Sequence, residues 1–335
     1  MIEIDGSRGE GGGQIIRTAI TFAAVTDTPV KITNIRIKRP RPGLAQQHLK
    51  GVEFLKKITD AEVEGLKLAS KELLFRPHGI KGGKFEVNIQ TAGSVSLFLQ
   101  SIIPAALKSS EKLEITIRGG TDVKWAPPID FLRFLLLPIL REMGADIRIE
   151  LLKRGYYPEG GGLINVTINP SKLKGVMPEK GRIDLVRGIS HASNLPQHVV
   201  RRQAKSASEK LLESGIDAVI DLETRRELST GSGILLYAGY KSGSALGERG
   251  KRAELVGVEA ADKLLAELGA ASTVDIYLAD QLIPFMALAD GRSEIKVREM
   301  TQHLRTNIAV VEAFLGTIFR IEAHEGVVNI SRKEL

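Results

Sequence analysis

The chain of 335 residues contains no cysteine. Disulfides, thiolate nucleophiles and cysteine-ligated zinc are thereby excluded, and any covalent chemistry must use other side chains. Long hydrophobic runs are also missing. The longest, Phe134 to Leu140, is interrupted by Pro138 and is far short of the ~20 apolar residues that span a bilayer, so no membrane partner is expected. The opening residues Met1, Ile2, Glu3, Ile4 and Asp5 have neither the apolar centre of a signal peptide nor the arginine-rich amphipathy of a transit peptide. A cytoplasmic location is the expectation. No G-x-x-x-x-G-K-[ST] pattern occurs, so no P-loop holds a nucleotide. Glu3-Ile4-Asp5-Gly6 has the outline of the K-x-D-G of nucleic-acid ligases, but a glutamate stands where the AMP-accepting lysine would be.

What is present is an ordinary globular composition, 43% hydrophobic, with a formal net charge of +7 and a pI near 9.4. The length suits two domains, or one large domain carrying an insertion. The positive balance suggests an anionic partner, though charge alone does not separate a nucleic acid from a nucleotide or from simple solubility.

Hydrophobic periodicity reveals one order of elements, strand, helix, strand, helix, strand, strand, used three times. The first copy runs from a strand at Ile2 to Ile4, through helices at Ile15 to Val25 and Leu44 to Ile58, with a strand from Val30 to Ile37 between them and strands near Ala61 and Leu73. The second has strands at Phe85 to Ile89, Leu113 to Ile117, Ala145 to Leu151 and Leu163 to Ile168, and helices at Ser94 to Leu107 and Ile129 to Met143. The third is read from a strand at Thr273 to Tyr277, helices at Gln281 to Ala289 and Leu304 to Leu315, a strand at Ile295 to Val297 and strands after Thr317. Between the second and third lies a separate β-α-β-β-α pattern, with Lys241 to Arg252 reading as a mobile surface loop. The fold class is α/β (α+β), with a large domain made of residues 1–181 and 271–335 and an inserted small domain at 182–270.

Four segments carry candidate chemistry. Asp5 to Gln14 is a glycine-rich turn directly before a helix, where backbone amides and the helix dipole suit phosphate oxygens. Glu10 is a candidate metal ligand there and Arg17 a candidate phosphate clamp, the alternative being a merely flexible turn. Lys31 to Pro42 carries five basic residues and no acid. With its prolines it reads as a stiff cationic arm for polyphosphate or RNA, or as a solvated basic edge. Gln47 and His48 follow in the next helix. In Tyr277-Leu278-Ala279-Asp280-Gln281 an aromatic face, an acid and an amide lie at a strand end leading into a helix, suited to adenine and ribose or to simple capping by an aspartate. His303 falls in the first turn of a helix whose buried face is Leu304, Ile308, Val311 and Leu315. That position disfavours imidazolium and welcomes an anionic phosphorus centre, so the neutral ring is a candidate nucleophile, against the alternative of a structural histidine.

Seven segments in order, Gly9-Glu10-Gly11-Gly12-Gly13-Gln14, Pro42-Gly43-Leu44, Gly119-Gly120-Thr121-Asp122, Ala126-Pro127-Pro128, Tyr157-Pro158-x-Gly160-Gly161-Gly162, Leu278-Ala279-Asp280-Gln281 and His303-Leu304-x-Thr306-Asn307, resemble the RNA 3'-terminal phosphate cyclases. The resemblance implies a domain of three two-helix, four-stranded units similar to the C-terminal domain of translation initiation factor 3, with a thioredoxin-like insert. It implies the ATP-dependent conversion of an RNA 3'-phosphate into a 2',3'-cyclic phosphodiester through a covalent AMP adduct of His303. ATP and a divalent metal, Mg²⁺ or Mn²⁺, are the implied cofactors. Gln100, Pro128 and Tyr277 to Gln281 are implied nucleotide contacts, Glu10 the metal ligand, and Arg17, Arg36, Arg39, Gln47 and His48 the phosphate and RNA contacts. Two rivals remain. Cyclase-like ribosome-biogenesis factors share the fold as RNA-binding proteins without the histidine, and enolpyruvyl transferases are built on related repeats without the His-Leu-x-Thr-Asn segment. Oligomeric state is not legible.

Overall fold

The structure, a computed structural model, describes residues 1–332 with the exception of Thr91, Arg182 and Glu325. The first unit runs β1 (Ile2–Asp5), α1 (Gly13–Thr26), β2 (Val30–Thr33), α2 (Gln46–Thr59), β3 (Glu62–Glu64) and β4 (Leu73–Arg76). Its sheet has the order β1-β2-β4-β3, parallel between β1 and β2 and antiparallel beyond. A parallel pair needs a crossover, and α1 supplies it. The second unit comprises β5 (Gly83–Asn88), α3 (Val95–Ala106), β6 (Leu113–Gly119), then α4 (Ile129–Phe131), which passes through a π-helical turn, Leu132–Leu136, into α5 (Leu137–Glu142), and finally β7 (Asp146–Lys153) and β8 (Gly162–Asn169). Its sheet order β5-β6-β8-β7 and its pairing senses repeat those of the first.

Between the second and third units lie β9 (Leu185–Ser193), α6 (His198–Leu212), β10 (Asp217–Arg225), β11 (Gly231–Ala238), β12 (Lys241–Leu246) and α7 (Ala253–Leu268). The third unit follows with α8 (Ile276–Leu288), β13 (Ser293–Val297), α9 (Gln302–Leu315), β14 (Phe319–His324) and β15 (Val327–Arg332), in a sheet ordered β13-β15-β14.

Three sequence expectations change. Thr273 to Tyr277 is not a strand: Asp275 caps α8, its Oδ1 accepting the Leu278 N–H at 2.6 Å, so Tyr277 is already helical. The β-branched Thr273 and Val274 give this cap the look of a strand. The place beside β13 is taken by a segment ahead of the insertion. Asp290 donates its N–H to the Leu173 carbonyl (2.8 Å), Gly175 to that of Asp290 (2.7 Å) and Glu294 to that of Val176 (2.9 Å), with a parallel bridge between Lys174 and Asp290. The third unit is therefore split by the insertion, this bridging segment on one side and its helices on the other. Second, Lys241 to Arg252 is not a loop throughout: Lys241–Leu246 is β12, paired antiparallel with β11. Its small residues admit α7 closely, since a Cβ on Gly243 would lie 2.1 Å from the Ala260 carbonyl oxygen. The insertion is thus β-α-β-β-β-α. Third, the strand after α1 stops at Thr33, because Asn34 and Arg36 take positive φ of 49° and 51°. The basic segment turns there instead of extending to Ile37.

Two apolar clusters form, a large one shared by the three units and a smaller one between α6, α7 and the inserted sheet. The large cluster is organised around α1, which buries Ile15, Ile16, Ala19, Ile20, Phe22 and Ala23 and touches α2, α3 and α9. A helix apolar on nearly every side belongs in a core, and each large side chain so buried contributes about 1.5–3 kcal/mol. The insertion is held to the large domain by Phe134 of the π-helical turn stacking on Tyr237 of β11 (centroids 5.2 Å apart) and by a buried charge network. Arg154, fully buried, bonds Asp122 (3.2 Å), Asp130 (2.7 Å) and, from the insertion, Glu223 (2.5 Å). Removing the guanidinium would leave two carboxylates uncompensated in the interior. Arg154→Met is expected to lower unfolding stability by about 3–5 kcal/mol, measured as the midpoint of urea denaturation.

Candidate active site

The helices that cross between parallel strands, α1, α3 and α8, meet α9 and the π-helical turn around one open cleft. Arg17, Gln100, Asp280 and Gln281 line it together, with Gln14, Thr18 and Asn307. Each crossover helix contributes a residue followed four positions later by a group that disturbs the helical ladder: Arg17 by Thr21, Gln100 by Pro104 and Asp280 by Pro284. A proline inside a helix removes the N–H that would bond the carbonyl four residues before it. At Asp280 that freed carbonyl accepts the Asn307 side-chain N–H at 2.8 Å. In α1 the Thr21 hydroxyl donates to the Arg17 carbonyl at 2.7 Å.

Asp280 is the centre of the hydrogen bonding. Its Oδ1 accepts from Gln14 Nε2 at 2.7 Å and from Asn307 Nδ2 at 2.8 Å. Gln14 also donates to the backbone carbonyl of His303 at 2.9 Å, and Thr18 Oγ1 donates to Asn307 Oδ1 at 2.6 Å. These bonds tie α1 of the first unit to α8 and α9 of the third. Burial raises the Asp280 carboxyl above the usual range, opposed by the charges of His303 and Arg17 and by its two amide donors. Arg17 is pulled down to about 10 by burial, with Asp280 holding it up, so it remains a cation at neutral pH. Two cleft atoms, Arg17 Nε and Gln281 Oε1, are buried without a protein partner. An unpaired buried polar atom is costly, and a polar ligand in the cleft would satisfy both.

His303 is the second residue of α9, whose N-cap Thr301 accepts the Leu304 N–H at 3.1 Å. The helical start expected from the sequence is correct. Its ring is 48% exposed, and Nε2 lies 3.2 Å from Glu10 Oε2. Arg39 Nη2 reaches the same Glu10 oxygen at 3.3 Å. The glycine-rich turn can lie this close because it lacks side chains: a Cβ on Gly9 would stand 2.5 Å from Thr306 Oγ1. Among the described residues no three His, Asp or Glu side chains gather as a metal-binding group. Glu10 therefore offers a cation one carboxylate, and the remaining ligands would be phosphate oxygens and water.

The other expected residues separate into groups. A second cavity, lined by Arg17, Gln47, His48, Ser94 and Leu97 among others, adjoins the first through Arg17. His48 is buried, and its Nδ1 accepts the Ala45 N–H at 3.2 Å. Burial and the nearby Arg17 and Arg36 hold it down to about 3, so it is a neutral donor there and not a cation. Arg36 is committed to the Gly43 carbonyl at 2.8 Å. Leu278 and Ala279 point into the core, which makes their part in the site structural. Tyr277 is half exposed on the first turn of α8, and Pro128 is the N-cap of α4; neither lines the two cavities. Gln14, Thr18 and Asn307 had no role assigned from sequence. The available signal was Asn307 itself, a polar residue within the apolar stripe of α9.

A model of the family described as RNA 3'-terminal phosphate cyclase matches residues 8–321. The chain is 53% identical over 330 residues to the RNA 3'-terminal phosphate cyclase of Archaeoglobus fulgidus, covering 98% of this chain and 100% of that protein. It is 50% identical to the one from Methanosarcina mazei and 46% identical to the one from Pyrococcus furiosus, each over 99% of both chains.

Two outcomes follow from this geometry. Asn307→Ala strands Thr18 and the Asp280 carbonyl, and is expected to cost about 1–3 kcal/mol of stability by urea denaturation. His48 protonates near 6.5 when unfolded but only near 3 when folded. The unfolded state thus binds more protons between those values, and stability falls as pH drops from about 6.5 toward 3. At pH 5 the loss from this one group is about 2 kcal/mol, and His48→Asn should abolish that share of the difference between urea midpoints at pH 7.5 and 5.

Proposed function

The chain belongs to the RNA 3'-terminal phosphate cyclase family, and we propose that it uses ATP to convert an RNA 3'-phosphate into a 2',3'-cyclic phosphodiester through a covalent AMP adduct of His303. The observation that carries this reading is the placement of His303, half exposed at the start of α9, with its backbone tied through Gln14 to the buried Asp280 of a polar cleft. The same placement favours the enzyme over a cyclase-like RNA-binding protein, which would need no exposed histidine there.

In the first step an imidazole nitrogen of His303 attacks the α-phosphorus of ATP, a nitrogen–phosphorus bond forms, and pyrophosphate leaves. The positive charge that attack places on the ring faces the Glu10 carboxylate, 3.2 Å away. Arg17, a cation that burial makes strongly interacting, and Arg39 neutralise phosphate charge in the transition state. In the second step an oxygen of the RNA 3'-phosphate displaces His303 from the AMP phosphorus, giving an RNA-adenylate anhydride and the free histidine. In the third the adjacent 2'-hydroxyl attacks the RNA phosphorus and AMP departs, the hydroxyl proton passing to solvent or a base. The vicinal hydroxyl needs no separate binding, so this closure has the advantage of an intramolecular reaction. A divalent cation, Mg²⁺ or Mn²⁺, supplies charge neutralisation on the triphosphate when bound, and Glu10 is the side chain that would share it with phosphate oxygens.

Gln100, Asp280 and Gln281 are assigned to the nucleotide because they line the larger cavity, and Tyr277 and Pro128 to the two faces of adenine. Arg36, Gln47 and His48 are assigned to the RNA end beside the second cavity. The three-unit domain is taken as similar to the C-terminal domain of translation initiation factor 3, and the insertion, at 182–270, as a thioredoxin-like domain.

Incubation with ATP labelled at the α-phosphate is expected to give an acid-labile, alkali-stable AMP adduct in the parent protein and none in His303→Asn. Addition of an RNA 3'-phosphate should discharge the label and leave the RNA end resistant to phosphatase. A parent protein that takes up no label would end the adenylyl-transfer reading.

A further inference from the structure

The chain has a single tryptophan, and the structure leaves it in solvent: Trp125 is 93% exposed. Its backbone is at φ +60°, a left-handed conformation uncommon for any bulky side chain and costly without support from its surroundings. Glycine would fit that backbone more easily, and a polar residue would suit that exposure. A large ring held outward at such a position calls for something to rest on it.

The loop that carries Trp125 is anchored at both ends to the walls of the site. On one side, the Ser96 hydroxyl on the first turn of α3 donates to the Pro127 carbonyl at 2.6 Å, and Ser94, which caps that turn, lines the second cavity with Gln47 and His48. On the other, Thr121 and Asp122 donate their N–H groups to the Gly155 carbonyl at 2.8 and 3.1 Å, and Asp122 bridges Tyr156. Lys124 reaches Glu248 of the insertion at 2.8 Å. The neighbouring strand end presents a second exposed ring, Tyr157, at 76%. Its own segment is pinned by Ser229, whose hydroxyl accepts the Tyr156 N–H and donates to the Gly160 carbonyl, each at 2.7 Å. The Trp125 loop is thus bonded to the helix turn whose cap lines the cavity assigned to the RNA end, and the segment carrying Tyr157 is bonded to that loop.

Exposed aromatic rings fixed on a rigid frame beside cationic groups are what unpaired nucleotides recognise, because every base has a face to stack while the phosphates seek positive charge. Resting on the reading of this site as one that acts on an RNA 3'-end, we propose that Trp125, with Tyr157 on the segment bonded to its loop, is a stacking platform for the unpaired bases immediately upstream of that end. The interaction is with base faces, so it selects single-stranded over paired ends and is tolerant of sequence. The scarcity of other groups that could read base edges in this loop agrees with that tolerance.

Since Trp125 is the only tryptophan, intrinsic emission reports on this position alone. The test titrates His303→Asn protein, without ATP, with a single-stranded octanucleotide carrying a 3'-phosphate, following tryptophan emission and, in parallel, the anisotropy of a labelled copy of the same RNA. Because neither ATP nor His303 takes part, failure of the adenylyl-transfer reading would leave this result intact, and the converse. The expected result is quenching that saturates with the anisotropy curve, weaker for an end held in a blunt duplex. In the parent background Trp125→Ala should weaken RNA binding about tenfold, within the range of about 1–3 kcal/mol per stacked base, and Trp125→Phe should restore most of it. The exposure of the ring means that neither variant disturbs the core. RNA that binds without changing the emission, RNA that does not bind, a Trp125→Ala protein of parental affinity, or quenching by ATP alone would each overturn the proposal.

Discussion

Everything about this site hangs on one buried carboxylate and the two amides that hold it. Asp280 receives Gln14 from the first unit and Asn307 from the third, and a carboxylate withdrawn from water needs such donors if it is to keep its charge. The same Gln14 amide holds the carbonyl of His303. One side chain at the start of α1 therefore joins the buried acid to the backbone of His303. The neighbours of that helix are α2, α3 and α9, so a disturbance of the central packing would be felt directly at the chemistry.

The repetition of one unit explains how the cleft arises. Each of the three crossover helices brings one polar residue from near its start to the cleft, a cation, an amide and an acid: Arg17, Gln100 and Asp280. Two of the three helices carry a proline four residues on, which frees a carbonyl in the wall of the cleft. A proline in a helix normally reads as a defect. Here the released Asp280 carbonyl gives Asn307 its second bond, and the irregularity becomes part of the join between α8 and α9.

Charge is distributed with similar economy. Arg39 and His303 both face Glu10, while Arg17 lies between the two cavities. A site prepared for polyphosphate must hold several positive groups close together before any phosphate arrives. Glu10 relieves that repulsion for Arg39, burial lowers Arg17 without discharging it, and His48 stays neutral beside them. The insertion stands outside this arrangement. It is joined by Arg154 and the Phe134–Tyr237 stack, and its Glu248 pairs with Lys124 of the loop that carries Trp125.

Local sequence was sufficient for most elements of the three units, for the helical start at His303 and for the glycine-rich turn before α1, because each depends on neighbours a few residues apart in the chain. Glu10, Arg17, Asp280 and His303 came forward from their own local segments, whereas Gln100 was named only through the family resemblance. Tertiary structure decided what depends on distant partners. The segment Leu173 to Val176, which takes the place beside β13, has too few apolar residues to announce itself and is defined only by its bonds to Asp290 and Glu294, more than a hundred residues later. The cap at Asp275 and the buried strand Lys241–Leu246 were hidden for the same reason, their local residues favouring other conformations until α7 and α8 packed on them. Gln14 and Asn307 are ordinary amides in the sequence. They become organisers of the site because folding places both beside one buried acid, and burial is a property that no residue possesses alone.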